Sequence, residues 1–490
     1  MSFIDGIIER FSPEWAYKRE AWRQSLGELR NYDAGGYDKS NQNWRTLNQS
    51  AEITDRYSRD TVRARARDLE RNSDMMNSVI GAFKRNVIGG GYTLQAGTGD
   101  AELNKKIEDA WKKWCKKENC DVTATQSLNQ LIRMAVERKK VDGGMLIIKR
   151  YTSDGFLPLK LQLFEVDELD LTQMTPKKAE NKVVGGIEYN KLNRAQGYYI
   201  RQYSVDGLSI MDPAYIDAED VIFYFSKKRP SQLREMSDMT PTITRIRDTN
   251  EFMVAVSVKE RIAACLAVFI KKLIPTTGIG RSGATQQQQS YEGKTLTPGM
   301  IKELNAGDEV QVVTPSGQAT DATSYVKLQQ RLVGAGQGIS YEATSRDMSE
   351  TNYSSARQGL IEDGLTYSEE IELLEEILDE IYEAFIVAGV LTGIFSIPKF
   401  WENKDEYFNH NWVRAPKQWI DPLKEASANK VALRTGQKTF KQIAAENGRD
   451  WKDQVKEMAE VIECGKELGI DLGGVIYGLQ QPGNETGRKE

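Results

Sequence analysis

Cysteine and histidine are nearly missing from this chain of 490 residues: it has four cysteines and one histidine, His410. Cys115 and Cys120 stand close together, Cys265 and Cys464 stand alone, and no CxxC pair occurs. A zinc centre needs three or four such ligands, so a metal reading has little support and no metal or cofactor is expected, and the spacing suits reduced, buried thiols of a cytoplasmic product. No GxSxG motif accompanies the single histidine, which leaves a Ser-His-Asp triad without a basis. Long apolar runs are lacking too: the longest, Ile262 to Ile270, falls far short of the ~18 residues a membrane span requires. The opening MSFIDGIIERF has no basic leader and is interrupted by Asp5 and Glu9, unlike a signal peptide. Phe3, Ile4, Ile7, Ile8 and Phe11 instead fit one face of a short helix that docks on protein. Basic excess is also absent, the formal net charge being −5. A protein that grips DNA strongly is usually basic, because each phosphate contact releases counterions. Any contact with nucleic acid is therefore loose or local.

What is present describes a soluble protein with a sizeable core and about two to four structural units. Charge is unevenly spread: residues 1–150 carry 27 basic and 21 acidic side chains, a balance of +6, whereas residues 301–400 carry 6 and 17, a balance of −11. Apolar spacing predicts helices over 50–88, 100–117 and 125–140, with Gly89-Gly90-Gly91 as a stop. Short runs rich in β-branched and aromatic residues over 145–228 predict hairpins. Thr240-Pro241 is read as the start of the longest helix, reaching Leu273. Residues 276–294 are a low-complexity, glutamine-rich loop, two short strands are expected near EVQVVTP, and an acidic helix over 365–388 comes next. Ile371, Leu374, Leu378, Ile381, Tyr382 and Phe385 make its apolar stripe, and its many carboxylates read as a solvated face or a channel lining. Three short helices, 421–433, 438–447 and 450–468, precede a disordered tail, 471–490. The fold class is α+β, predominantly helical.

Gly293-Lys294-Thr295 has the ending of a phosphate-binding loop, but Gln288 stands where the first glycine belongs and no strand precedes it. Arg63, Arg65 and Arg67 are mixed with Asp60, Asp68 and Glu70 and read as an ion-paired surface helix, and Lys112, Lys113, Lys116 and Lys117 form another basic cluster. Lys227, Lys228 and Arg229 have fewer neighbouring acids and are the best local candidate for phosphate contact.

Four separated segments carry a resemblance, in order: RARARDLERNSDMMNSVIGAFKRNVIGGGYTLQ (63–95), LTPGMIKELNAGDEVQVVTP (296–315), GISYEATSRDMSETNYSSARQGLIE (338–362), and WIDPLKEASA (419–428) with the helices after it. The third is the most specific, with Asp347, Met348 and Ser349 followed by Asn352, Tyr353 and Arg357. Together they resemble the lambda-type family of tailed-bacteriophage portal proteins. That resemblance implies a structural protein of the virion, not an enzyme, assembled in the host cytoplasm. It implies a homododecameric ring at one capsid vertex, forming the channel for double-stranded DNA packaging and ejection. Implied partners are that DNA, the terminase large subunit, a head–tail adaptor, and the major capsid and scaffold proteins, with no membrane.

The family order places an N-terminal arm and wing at 1–165, a β-rich clip at 166–235 and a stem helix at 240–273. A wing return at 274–400 would hold the tunnel loop, about 340–352, and the acidic helix, with a helical crown at 401–470. On this reading Tyr341, Met348 and Ser349 approach DNA, and Asp347, Asn352, Tyr353 and Arg357 support the loop, Arg357 through an ion pair within or between subunits. Lys227, Lys228 and Arg229 form a clip patch, and Trp419, Asp421, Pro422, Lys424 and Glu425 mark the crown. Tyr341 and Met348 could equally pack in the wing core. A ring multiplies every phosphate contact by its copy number, so an acidic or neutral wall suits transport better than a basic one. The rival readings are a terminase-type packaging enzyme, which would need an intact phosphate loop and magnesium carboxylates, and a scaffold that never meets DNA.

Overall fold

Val62, Ala66 and Leu69 recur at helical spacing and form one side of the first long helix, α1 (Arg59–Asn72), in a computed structural model. That structure describes residues 48–203, 210–264, 268–272, 308–312, 321–415 and 422–470, with a few positions between 12 and 22. The chain divides into two units, Met1–Thr54 and Asp55–Glu490. The first shows an exposed helical stretch in which Lys18 pairs with Glu14 at 2.7 Å. Helix α1 and every element after it belong to the second.

The helix expected over 50–88 is broken at Ser73. Its backbone is extended and its hydroxyl accepts the Met76 N–H, so α1 ends and α2 (Asp74–Phe83) begins on a fresh N-cap. A wide turn with π-type hydrogen bonds, Lys84–Ile88, then runs into Gly89. Next come β1 (Tyr92–Ala96), α3 (Ala101–Trp114), capped by Asp100, and α4 (Leu128–Asp142), opened by a Ser127–Gln130 capping box. Helix α4 stops at Gly143, whose φ is +93° and where a Cβ would sit 2.4 Å from the Met236 carbonyl carbon; only glycine fits.

Strands β2 (Gly144–Tyr151) and β3 (Leu159–Glu165) form a hairpin. Next in the chain is a four-stranded antiparallel meander: β4 (Lys182–Val184), β5 (Ile187–Tyr189), β6 (Ala195–Tyr203) and β7 (Ile210–Asp217). Strand β8 (Val221–Phe225) returns to β2, Gly144 opposite Phe225 and Ile148 opposite Val221. The β-rich region of 166–235 is thus split between two sheets.

The long helix expected over 240–273 is shorter. Helix α5 runs Ile243–Ala264, and Val268–Lys272 is a strand, β9, paired antiparallel with β10 (Asp308–Val312), Val268 opposite Val312. Val268, Phe269 and Ile270 are residue types that favour a strand when a partner is available, and that partner lies far along the chain. Among the described residues one strand, β10, forms near EVQVVTP, and the second one expected there lies outside them. The glutamine-rich loop with Gly293-Lys294-Thr295, Cys265, Trp419, Asp421 and the tail 471–490 lie outside the described residues.

Helices α6 (Ala322–Gln337) and α7 (Tyr341–Ser345) lead to α8 (Tyr353–Leu391), whose 39 residues make it the longest among the described residues. The acidic helix expected over 365–388 is its C-terminal part. Strand β11 (His410–Arg414) pairs with β1, Ala96 opposite His410, so the start of the region assigned to the crown completes a sheet with residues of the wing region. Helices α9 (Pro422–Arg434), α10 (Phe440–Glu446) and α11 (Trp451–Glu467) come last, close to their expected limits.

The main core gathers around α8. Its six predicted stripe residues are all buried and pack with Met76, Val79, Ile80 and Phe83 of α2 and Ile107, Trp111 and Trp114 of α3. Each such side chain contributes roughly 1.5–3 kcal/mol on burial. Trp111 is the hub: its ring centroid lies 5.0 Å from Phe385, 5.1 Å from Trp114 and 5.6 Å from Trp412. A second core joins Leu146 and Ile148 to Ile187, Tyr198, Ile200 and Val221, between the two sheets.

Candidate functional site

The segment 338–352 links α6 to α8, and its shape comes from a series of local hydrogen bonds. Helix α6 closes at Gly338 (φ +71°), with the Ile339 N–H reaching back 2.9 Å to the Gly334 carbonyl. Gly334 is needed for this close approach, since a Cβ there would lie 2.7 Å from the Ile339 carbonyl oxygen. Ser340 then caps α7, accepting the Ala343 N–H at 3.2 Å, and is clamped by Asp363 of α8, which accepts its N–H at 2.6 Å and its hydroxyl at 2.8 Å. Asp363 is buried, and burial raises its carboxyl above the ordinary range. The Ser78 hydroxyl of α2 donates to the Thr344 carbonyl at 2.5 Å, tying α7 to the core.

Beyond α7 the chain turns at Arg346, a non-glycine residue with φ +59°. Asp347 organises the next turn. One carboxylate oxygen accepts the Ser349 N–H at 3.0 Å and its hydroxyl at 2.6 Å; the other accepts the Tyr341 hydroxyl at 3.0 Å. The bonds from Ser349 and then Tyr341 hold Asp347 down at about 2. Glu350 bridges back to α6, 2.7 Å from Lys327 and 3.4 Å from Arg331. Its hydrogen bond and charge interaction with Lys327 lower the Glu350 pKa and raise that of the lysine. The Arg331 guanidinium also lies 5.3 Å from the centre of the Tyr341 ring. Asn352 begins α8 by accepting the Ser355 N–H at 2.9 Å, while its own N–H donates to the Ser355 hydroxyl.

Tyr341, Asp347 and Ser349 therefore meet, and Asn352 stands beside them as a cap. Tyr341 is half-buried with its hydroxyl engaged, whereas Met348 is 58% exposed at the tip. Arg357 is exposed and has no ion-pair partner among the described residues, so the intrachain form of its expected pair is absent there. Tyr353 is the first residue of α8. Spacing gave no sign of Asp363, Glu350, Lys327 or Arg331, which fix the loop; their partners lie on other elements.

The other candidates are scattered. Lys228 pairs with Asp238 at 3.0 Å, while Lys227 and Arg229 are exposed after β8. Pro422 and Lys424 are exposed and Glu425 half-buried in the first turn of α9. The arginine-rich α1 is not an exposed ion-paired surface along its whole length. Arg63 is buried, 3.0 Å from Glu235, and Arg67 lies 2.6 Å from Asp142, because α1 packs on α4 and the chain after β8. The acidic helix is also partly committed within the chain. Glu370 lies 2.6 Å from the fully buried Lys139, Glu380 lies 2.8 Å from Lys149, and one Asp379 oxygen accepts the Trp412 indole N–H at 2.7 Å.

A model of the phage portal protein, lambda family, matches residues 37–370. The chain belongs to that family. It is similar to a probable portal protein of Halomonas phage phiHAP-1, 24% identical over 428 residues and covering 84% of this chain and 82% of that protein. It is similar also to portal protein B of Escherichia phage lambda, 20% identical over 485 residues, covering 89% and 91%. Among solved structures, a chain from the neck of an empty GTA particle aligns with a TM-score of 0.46 and 13% identity, over 76% of this chain and 90% of that one. No helix among the described residues is long and apolar enough to cross a membrane.

Proposed function

We propose that copies of this chain close head to tail into a dodecameric ring at a capsid vertex, the conduit for double-stranded DNA during packaging and ejection. The terminase motor and then a head–tail adaptor would dock on its β-rich clip. The family match over residues 37–370 carries this reading. A head-to-tail contact joins two different surfaces of identical subunits and closes when the rotation per step divides the circle. The segment 340–352 would be the tunnel loop, with Met348 and Ser349 at its tip and Tyr341 behind them. Support comes from charge pairing: Lys327 and Arg331 of the neighbouring helix α6 are held by Glu350, while the exposed Arg346 of the loop has no ion pair among the described residues. Cations already held by a carboxylate collect fewer phosphates from a passing duplex than free ones do. Docking of the terminase large subunit, the adaptor, capsid and scaffold proteins belongs to the same proposal, as does location in the virion and the absence of any reaction step. Negative-stain microscopy and mass photometry of the purified full chain test it. Closed rings with an open channel of roughly 20–40 Å, wide enough for a duplex, are expected. A protein that stays monomeric under every assembly condition overturns the proposal.

A further inference from the structure

An open cavity of about 220 Å³ lies away from the loop, where β1, α3, the first turn of α4, α8 and β11 converge. Its walls are largely apolar and aromatic, with Tyr92, Trp111, Trp412 and Leu378 among them. Glu108 also lines it. One Glu108 oxygen accepts the Ala96 N–H at 3.0 Å, and no cation lies within ion-pair distance of this carboxylate among the described residues. Burial raises the Glu108 carboxyl, and the nearby Asp450 and Asp453 raise it further, whereas Lys112 opposes them. Asp450 is held in place by capping α11 and by accepting the Gln95 amide at 2.8 Å. The cavity thus combines aromatic rings with a carboxylate that has no ion pair among the described residues, and the ammonium of Lys112 stands in the same wall.

We propose that this cavity binds a primary alkylammonium ion, its charge at Glu108 and its alkyl body against Tyr92 and Trp412. Ring faces attract a cation electrostatically, most strongly where water is partly excluded, and the carboxylate supplies the opposite charge. Two sources carry this chemistry: a free polyamine, or the side chain of a lysine on another protein. The site needs neither a ring nor DNA, so its failure and the failure of the conduit reading are separate results.

Calorimetric titration of the full chain with n-butylammonium tests the proposal, with n-butanol as the uncharged control. Saturable binding of the cation alone is expected. Glu108→Gln keeps an acceptor for Ala96 and removes the charge, so binding weakens by about tenfold, which is about 1.4 kcal/mol. Lys112→Gln removes the competing ammonium and tightens binding, by about threefold on the same scale, which keeps the test decisive if the first variant misfolds. Parallel titrations with putrescine and with N-acetyl-lysine N-methylamide identify the source by which of the two binds more tightly. No saturable binding, equal binding of butanol, or affinities unchanged in both variants overturns the proposal.

Discussion

Replacing Glu370 by Gln removes one of the two carboxylates that hold a buried cationic pair. Lys139 is fully buried, 2.6 Å from Glu370 and 3.1 Å from Asp238; Lys140 is 3.1 Å and 3.6 Å from the same two groups. Breaking a buried pair from one side costs about 3–5 kcal/mol, mostly because the partner charge stays buried. Asp238 remains as a second acceptor, which lowers the expected loss to about 2–4 kcal/mol. At roughly 2 °C per kcal/mol for a large domain, Tm falls by about 4–8 °C. Calorimetry at a fixed scan rate reads this directly. The pH dependence has a definite sign. Burial opposes ionisation of Asp238, but Lys139, Lys140 and Lys228 outweigh it and lower its pKa, so its contribution is complete above the ordinary carboxyl range and lost as pH falls through the lowered value. Burial likewise opposes the charge on Lys139, but Asp238 and Glu370 raise its pKa, so its contribution is complete below the ordinary lysine range and lost as pH rises through the raised value. The deficit of the variant is therefore flat from about pH 5 to 9. Salt screens buried pairs little, so it also persists at high ionic strength. In a cycle with Lys139→Met the double variant loses less than the sum of the singles, by about 1–3 kcal/mol. A Glu370→Gln protein within about 1 °C of the parent, or a cycle that is strictly additive, refutes this account of the cluster.

Four further outcomes are expected. Asp347→Asn weakens the bonds from Ser349 and Tyr341, and hydrogen exchange by mass spectrometry shows faster exchange across 346–352 with little change in Tm. Trp111→Ala removes the aromatic hub at a cost of about 3–5 kcal/mol, seen as a lowered denaturation midpoint and loss of near-UV circular dichroism. Glu350→Gln frees Lys327 and Arg331; if the loop meets DNA, affinity rises and the slope of log K against log salt steepens by about 0.9 for each cation engaged. Replacing Tyr341 and Met348 together changes packaging or DNA retention in a single-molecule packaging assay, and unchanged behaviour removes them from the channel.

Much of the helical framework was legible because it is local. Asp100 and Ser127 cap helices close to their expected starts, and the stripe from Ile371 to Phe385 repeats at helical spacing, whereas Asn352 caps α8 well before the start expected at 365. The break at Ser73 was open to the same reasoning, but apolar spacing continues across it and hides the cap. The end of α5 was not open to it, because β9 depends on a strand that lies beyond a long intervening segment. The loop divides in the same way. Asp347, Ser349 and Tyr341 are close in sequence and stood out together, whereas Asp363, Lys327 and Arg331 reach the loop from neighbouring helices and carry no pattern of their own. Lys139 and Glu370 are the extreme case: each reads as an ordinary surface charge until α4 and α8 are packed together.

That packing changes what the charge distribution means. The −11 balance over 301–400 suggests an acidic wall, yet several of its carboxylates are already bound to cations from elsewhere in the chain, Glu370 to Lys139 and Glu380 to Lys149. Net charge along a sequence therefore overstates the field offered to a passing duplex. The more telling feature is that two of the basic side chains beside the loop, Lys327 and Arg331, are held by Glu350 before any DNA arrives, which leaves Arg346 and Arg357 as the exposed cations without an ion pair among the described residues. A phosphate approaching Lys327 would have to displace Glu350, exchanging one ion pair for another and releasing fewer counterions than a free lysine would. Weak attraction of this kind can come from paired charge of both signs as well as from a wholly acidic surface. Glu350→Gln leaves most of the negative balance in place and changes the pairing, so it separates the two explanations.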